Sequence, residues 1–401
     1  MSETRLSWSE KLAARLLSRA QAGRLTVTFS RGDVLVFEGT QPGPEAALIL
    51  KSPATMRNLL TGGANGFAEA YLDADWDTPD LPALLSWGAA NDDAMRLTSG
   101  GTILLRMADR IRHLFNNNSK TGSRKNIAYH YDLGNEFYKK WLDPSMTYSS
   151  AVFEREDEDL QDAQTRKYRQ LAEALEITPG MDVLEVGCGW GGFAEVAARD
   201  FGANVTAITI SQEQFDFATQ RIEKAGLTDQ VTVKFCDYRD IEGQFDRIAS
   251  IEMIEAVGLK HLPTYFGVLR DRLKPTGLAG IQAITIEESR FDTYRKSVDF
   301  IQKYIFPGGF LPAVSYFHNV AGQAGLKVKR EMFFGQSYAT TLARWRDRFN
   351  EAWAEIHKEQ EFDERFRRMW LYYLAYCEVG FARGRTDVGQ IILMRDEQPL
   401  V

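Results

Sequence analysis

The run Val183-Leu184-Glu185-Val186-Gly187-Cys188-Gly189-Trp190-Gly191-Gly192 constrains this chain more than any other feature. A short apolar segment ends in an acid, glycines crowd the turn after it, and a helix-like segment follows from Phe193 to Arg199. Glycine tolerates positive φ and has no Cβ, so such a turn can pass close beneath a small ligand. In an open α/β sheet that ligand sits outside the carboxyl end of the strand. No Lys-Ser or Lys-Thr follows the glycines, which excludes a P-loop. The turn suits S-adenosylmethionine (SAM) better than a nucleotide phosphate. Taken alone it also permits a dinucleotide fold, or a tight strand-to-helix turn without a ligand.

The surrounding pattern supplies the sheet. Strands predicted at Asp182–Val186, Asn204–Ile210, Val231–Cys236 and Arg247–Ile251 alternate with helices such as Gln212–Ala225 and Leu262–Leu273. That alternation implies a parallel sheet covered by helices. Pro275-Thr276-Gly277 reads as a break before a strand at Leu278–Ile286, and residues 340–381 read as helical and aromatic-rich. Nearer the start, a helix is predicted within residues 1–20. A hairpin pairs Leu25–Phe29 with Val34–Phe37 around Arg31-Gly32-Asp33, and Pro42-Gly43-Pro44 reads as a break. Helices at Thr55–Leu60 and Gly66–Leu72 flank a break at Thr61-Gly62-Gly63. The polar stretch Asn116–Ser123 reads as a linker, dividing the chain into residues 1–115, a linker at 116–125 and a domain at 126–401.

Composition narrows the partners. A length of 401 residues allows two or three cores. No apolar run approaches the roughly 18 residues of a spanning helix, and the amino terminus lacks the apolar stretch of a signal peptide. The three cysteines and five histidines are scattered, so no metal site is expected and a reducing cytoplasm is. A net charge of −7 disfavours nucleic acid. Arg96, Arg106, Arg110, Arg112, Lys120, Arg124 and Lys125 nevertheless fall in one segment opposed only by Asp109. This segment suits an anionic phospholipid surface, or equally a solvated helix face with a linker.

Two loops add candidates. After the second strand, Thr209 and Gln214 can bond ribose hydroxyls, with Ser211 as a helix cap. After the third, Asp237-Tyr238-Arg239-Asp240 places an acid beside an aromatic ring, which suits an adenine edge and face; a plain acidic loop reads equally well.

Three motifs together carry a resemblance. They are His130-Tyr131-Asp132-Leu133-Gly134-Asn135-Glu136-Phe137-Tyr138 continuing through Leu142-Asp143-Pro144-Ser145-Met146-Thr147-Tyr148-Ser149-Ser150, the glycine turn, and Tyr304-Ile305-Phe306-Pro307-Gly308-Gly309. In this order they resemble the cyclopropane fatty acid synthase family over almost the whole chain, including Gly66–Trp76 near the start. The resemblance implies an α/β architecture: a Rossmann-like SAM-dependent methyltransferase domain with a helical carboxyl-terminal extension, and a smaller α+β amino-terminal lipid-interacting domain. It implies transfer of the SAM methyl to a cis double bond of an unsaturated phospholipid acyl chain, giving a cyclopropane. A methyl- or methylene-branched chain is the alternative product, and a non-catalytic lipid-binding protein the alternative class. Tyr131, Tyr148, Ser149, Glu185, Gly187, Gly189, Thr209, Gln214, Tyr238 and Arg239 match SAM-binding positions. Ser150, Glu255, Ile286 and Tyr338 match the residues around a bicarbonate ion, which the family uses as proton acceptor; Glu255 and Tyr338 are the catalytic pair. From chemistry alone, Glu255 also reads as a helix cap or a direct base. The resemblance places the protein in the cytoplasm, peripheral at the inner membrane surface, touching the bilayer and acyl chains, and allows a homodimer.

The departures from the family pattern cluster at the ion. The family commonly has Tyr-Ser-Cys where this chain has Tyr148-Ser149-Ser150, and His-Thr-Ile where it has Ile284-Thr285-Ile286. Glu252 replaces a small residue and Ala256 a histidine. An added carboxylate at Glu252 reads as compensation for the lost histidine or as an alternative base. The acyl tunnel is expected among Phe300, Ile301, Ile305, Phe306, Phe310 and Leu311, and the helix 362–376, with Arg365, Arg367, Arg368 and Trp370, in docking, dimer packing or an ordinary core contact.

Overall fold

A computed structural model describes residues 6–52, 54–95 and 133–396. The linker at 116–125, the basic segment from Arg96 to Lys125, and Tyr131 lie outside the described residues.

Among the described residues, two sheets organise the chain. The first is built from β1 (Ala22–Thr28), β2 (Val34–Glu38), β3 (Gln41–Leu50) and β4 (Trp76–Asp77), in the order β2-β1-β3-β4. The hairpin forms as its alternation predicts: Leu25 faces Phe37 and Val27 faces Leu35 across antiparallel strands. Leu25, Val27, Leu48 and Leu50 are buried on one face, against the helix Leu81–Ala90. Pro42-Gly43-Pro44 does not break the chain; it starts β3. The register of β1 against β3 shifts between Ala22 and Arg24, where Gly23 takes a φ of +71°. Such an irregularity accommodates prolines that a regular ladder would reject. The expected break at Gly63 is a kink inside one helix, Ala54–Leu72, with φ 58° and ψ −142°.

The second sheet comprises β5 (Asp182–Val186), β6 (Asn204–Thr209), β7 (Val231–Phe235), β8 (Phe245–Ile251), β9 (Leu273–Ile286), β10 (Leu326–Phe333) and β11 (Thr386–Arg395). Its order is β10-β11-β9-β8-β5-β6-β7, and only β11 runs antiparallel to its neighbours. The strand order reverses at β5, which pairs with β6 on one side and β8 on the other. The crevice at such a switch point lies at the carboxyl ends of the strands, where the glycine turn begins. Pro275-Thr276-Gly277 lies within β9 rather than before it, because a register shift against β8 absorbs the extra residues.

The helices Gly335–Gln360 and Glu364–Ala382 divide the aromatic-rich segment. They bury Trp345 and Trp370 with Phe137, Tyr138 and Trp141. The second helix also joins the two sheets. Arg368 is buried, its guanidinium donates to the carbonyls of Tyr71 (2.5 Å) and Trp76 (2.8 Å), and it lies 3.9 Å from the Tyr71 ring centroid. This is the core contact among the readings open for that helix. A second tie runs from Glu69 to Lys303 (2.7 Å) and the Tyr304 hydroxyl (2.8 Å).

Candidate active site

One cavity of about 1430 Å³ lies at the switch point. It takes in the glycine turn, the acids after β8 and the aliphatic side chains Leu16, Leu25, Leu48 and Leu84 beside the first sheet. That exceeds the roughly 300–1,000 Å³ of a site for one drug-sized ligand. Ile301, Phe306, Phe310 and Leu311 line it, as the tunnel reading expects; Phe300 and Ile305 are buried in the core beside it.

The glycine turn carries positive φ at Gly187 (79°), Gly189 (51°) and Gly191 (83°). A Cβ on Gly187 would meet Met253 Cγ at 2.6 Å, whereas one on Gly189 would enter open space. The amides of Gly187 and Cys188 both bond the Ile208 carbonyl (3.0 and 2.9 Å), pinning the turn to β6. Beneath it, Glu185 accepts a hydrogen bond from the Ala194 amide, while Oε2 is buried without a partner. Burial pushes its carboxyl up to about 8. Thr209 Oγ1 donates to Gln214 Oε1 (2.8 Å), and Ser211 caps the helix Gln212–Lys224. Arg239 closes back on Asp237, bonding both carboxylate oxygens (2.8 and 2.7 Å). Tyr148 reaches the Tyr373 hydroxyl at 2.7 Å. An open glycine bend, an orphaned buried carboxylate oxygen and paired polar side chains at the next strand end fit a SAM molecule.

The acids after β8 behave differently from one another. Glu252 takes a φ of 49° at the strand end. Its Oε1 accepts from the Ser150 amide (2.7 Å) and from Gln282 Nε2 (2.7 Å), and its Oε2 from the Tyr338 hydroxyl (2.6 Å). Glu255 does not cap a helix: its Oε1 accepts from the Ile284 amide (2.6 Å), and Oε2 is buried without a partner. Both side chains face the cavity rather than bulk solvent. Desolvation, then repulsion from Glu252, pushes Glu255 up to about 8. Desolvation also raises Glu252, against the attraction of Lys167 and its three donors.

Four residues matched to the bicarbonate site therefore separate. Ser150 and Tyr338 converge on Glu252, Glu255 stands beside them, and the Ile286 amide bonds the Pro312 carbonyl (3.0 Å). The amide meeting Glu255 is that of Ile284. Sequence reasoning missed Lys167, Gln164, Gln282 and Gln390, all buried behind this group. A lone glutamine inside each of the apolar strands β9 and β11 was the available signal; Lys167, between Arg166 and Tyr168 on a polar helix, gave none. Among the described residues, no cluster of histidine, cysteine and acidic side chains could hold a metal ion.

This sheet order, with its glycine cradle at the switch point, defines a SAM-dependent methyltransferase. The chain belongs to the mycolic acid cyclopropane synthetase family, whose model matches residues 118–391. The tuberculostearic acid methyltransferase UfaA1 of Mycobacterium tuberculosis is 37% identical, over 98% of this chain and 92% of its own length. The cyclopropane-fatty-acyl-phospholipid synthase of Escherichia coli K12 is 35% identical, over 96% and 93%. Among solved structures, the mycolic acid cyclopropane synthase CmaA1 complexed with SAH and CTAB superposes with a TM-score of 0.63 at 29% identity, covering 68% of this chain and 98% of that one.

Proposed function

We propose that the protein transfers the methyl group of SAM to a cis double bond of an unsaturated phospholipid acyl chain, with the Glu252 carboxylate as proton acceptor, giving a cyclopropane. One observation carries this reading. Ser150 and Tyr338, two of the residues the resemblance assigns to bicarbonate, hold a carboxylate that belongs to the chain itself.

When bound, SAM supplies an electrophilic methyl; Tyr148, Ser149, Glu185, Gly187, Gly189, Thr209, Gln214, Tyr238 and Arg239 would hold it, and all nine line the cavity. An alkene is a weak nucleophile, so the cavity must align it and exclude water. Holding two reactants in register is worth about 7–11 kcal/mol in favourable cases. Attack leaves a secondary cation on the neighbouring chain carbon. If a methyl proton leaves at once, the ring closes to a cyclopropane. If it leaves later, a hydride shifts, and the charge moves to the more stable tertiary carbon that bears the methyl. Proton loss from the methyl then gives an exocyclic methylene. Oε1 of Glu252 accepts two hydrogen bonds and Oε2 one, so Oε2 keeps a lone pair open to take the proton. An acceptor already open beside the cavity favours prompt loss of the methyl proton, and so the ring. The name of one relative, a cyclopropane-fatty-acyl-phospholipid synthase, agrees with the ring, and the methyl- or methylene-branched chain is the second reading. An intact cradle and acid pair weigh against a silent lipid-binding protein. The reaction takes place at the inner surface of the bilayer, where the acyl chain enters the cavity.

The test is expression in a bacterium rich in monounsaturated phospholipids, followed by mass spectrometry and NMR of the acyl chains. A gain of one CH2 with cyclopropane ring protons is expected. Vinylidene protons that vanish on hydrogenation would assign the methylene branch instead, and unaltered lipids would overturn the proposal.

A further inference from the structure

A lysine sits deep behind the acids without a role in the reaction described above. Lys167, on the helix Leu160–Ala174, has no solvent exposure. Among the described residues it forms no ion pair; its ammonium donates to Ser149 Oγ (2.5 Å) and lies 4.2 Å from the Tyr168 ring centroid. An ammonium removed from water without a carboxylate in contact is costly, so its retention needs a reason.

The surrounding bonds supply one. Ser149 precedes Ser150, whose amide donates to Glu252. Gln282 donates to the same oxygen of Glu252, and Gln390, its cross-strand partner on β11, donates to Gln282 Oε1 (3.2 Å) and to the Lys167 carbonyl (3.1 Å). Gln164, one turn before Lys167 on the same face, donates to the Ser149 carbonyl (2.8 Å). The bonds form a closed circuit with Lys167 on one side and Glu252 on the other. We propose that Lys167 is a positioning residue for methyl transfer: set behind the Ser149–Ser150 turn, its ammonium is the countercharge that keeps the Glu252 carboxylate ionised and aimed into the cavity.

The neighbouring charges define what this countercharge must do. Glu252 is faced by Lys167, by the Tyr338 hydroxyl and by Glu255, and of these only Lys167 is cationic. Lys167 is faced by Glu252, Asp143 and Glu185, with Tyr168 alongside. Burial brings Lys167 down to about 7, against the attraction of those three carboxylates. Its charge is therefore present in the lower part of the working pH range and withdrawn above it. A group that accepts a proton must first be ionised, and a nearby cation lowers the pH at which a carboxyl ionises.

This inference rests on Glu252 being the proton acceptor, and the experiment separates the two. The pH dependence of kcat is measured for the full-length protein on monounsaturated phospholipid vesicles with SAM. Lys167→Met is expected to move the acid limb upward by about one pH unit or more, so that kcat at low pH falls about ten-fold while the plateau at high pH is largely recovered. Lys167→Arg keeps a cation at every accessible pH, so its acid limb should stay in place. Glu185 and Glu255 remain in both variants and cannot produce that difference. Lys167→Gln reads the same acid limb if the methionine variant does not fold. A uniform loss of kcat at all pH values, or limbs that ignore residue 167, would overturn the proposal. If Glu252→Gly keeps its activity without added carboxylate, it is the proton-acceptor reading that fails instead.

Discussion

Replacing Glu252 by glycine removes a carboxylate from between three donors, and the outcome can be worked from the structure. The Ser150 amide, the Gln282 amide group and the Tyr338 hydroxyl lose their acceptor together. Each donor left dry costs about 1–3 kcal/mol. Water entering from the cavity offsets much of that. The backbone gains roughly 1 kcal/mol in addition, because glycine accepts the φ of 49° that glutamate adopts under strain. A net loss of about 2–4 kcal/mol in unfolding free energy is expected, which leaves a folded protein. Activity should fall about 10²- to 10⁴-fold, the usual worth of a positioned proton acceptor. The gap left behind is shaped for a carboxylate, so formate or bicarbonate should restore turnover with saturation, while chloride at the same ionic strength should not. The assay is methyl incorporation from SAM into monounsaturated phospholipid vesicles. Activity within about three-fold of the parent without added anion, or a folded, SAM-binding variant that no carboxylate rescues, would refute the reasoning.

Other residues give sharper tests of the parts. Gly187→Ala combines a φ of 79° with a contact of 2.6 Å to Met253, so about 2–4 kcal/mol of stability is lost. Gly189→Ala meets no protein atom; it should cost about 1 kcal/mol yet weaken SAM binding at least as much in calorimetry. Equal, unaffected SAM affinities in the two variants would remove the cradle. Glu255 holds its proton in the folded state from its ordinary value of 4.5 up to about 8. Unfolded chains have lost that proton in this window, so stability should fall as pH rises through it. Urea unfolding of Glu255→Gln should show a shallower decline than the parent between about pH 5 and 7; parallel profiles would contradict the assignment. Arg368→Met leaves the Tyr71 and Trp76 carbonyls without their buried donor. A loss of about 2–4 kcal/mol is expected, and denaturation within about 0.5 kcal/mol of the parent would show that this tie between the sheets is dispensable.

What the sequence disclosed follows from how local each signal is. The glycine turn was legible because positive φ and a strand-to-helix switch leave their mark within a dozen residues. The hairpin around Gly32 and the kink at Gly63 were legible for the same reason. Pro42–Pro44 and Pro275–Gly277 were misread because a register shift between paired strands absorbs them, and registers are set by the partner strand. The spacing of Glu252 and Glu255 was visible, but their division of labour was not. The positive φ of Glu252 sends its carboxylate to Ser150, 102 residues earlier, and Tyr338, 86 residues later. Lys167, Gln282 and Gln390 acquire meaning only once β9 and β11 pair and the helix Leu160–Ala174 packs behind them. Tyr131 and the basic segment fall outside the described residues, so their roles stay expectations of the sequence.

The most direct measurement uses the purified protein, methyl-labelled SAM and vesicles of monounsaturated phospholipid, in buffer stripped of carbon dioxide. With Glu252 as the resident acceptor, the label should enter the former double bond at full rate, and added bicarbonate should not accelerate it. A rate that collapses without bicarbonate and returns with it, or label found anywhere but the acyl chain, would contradict the account.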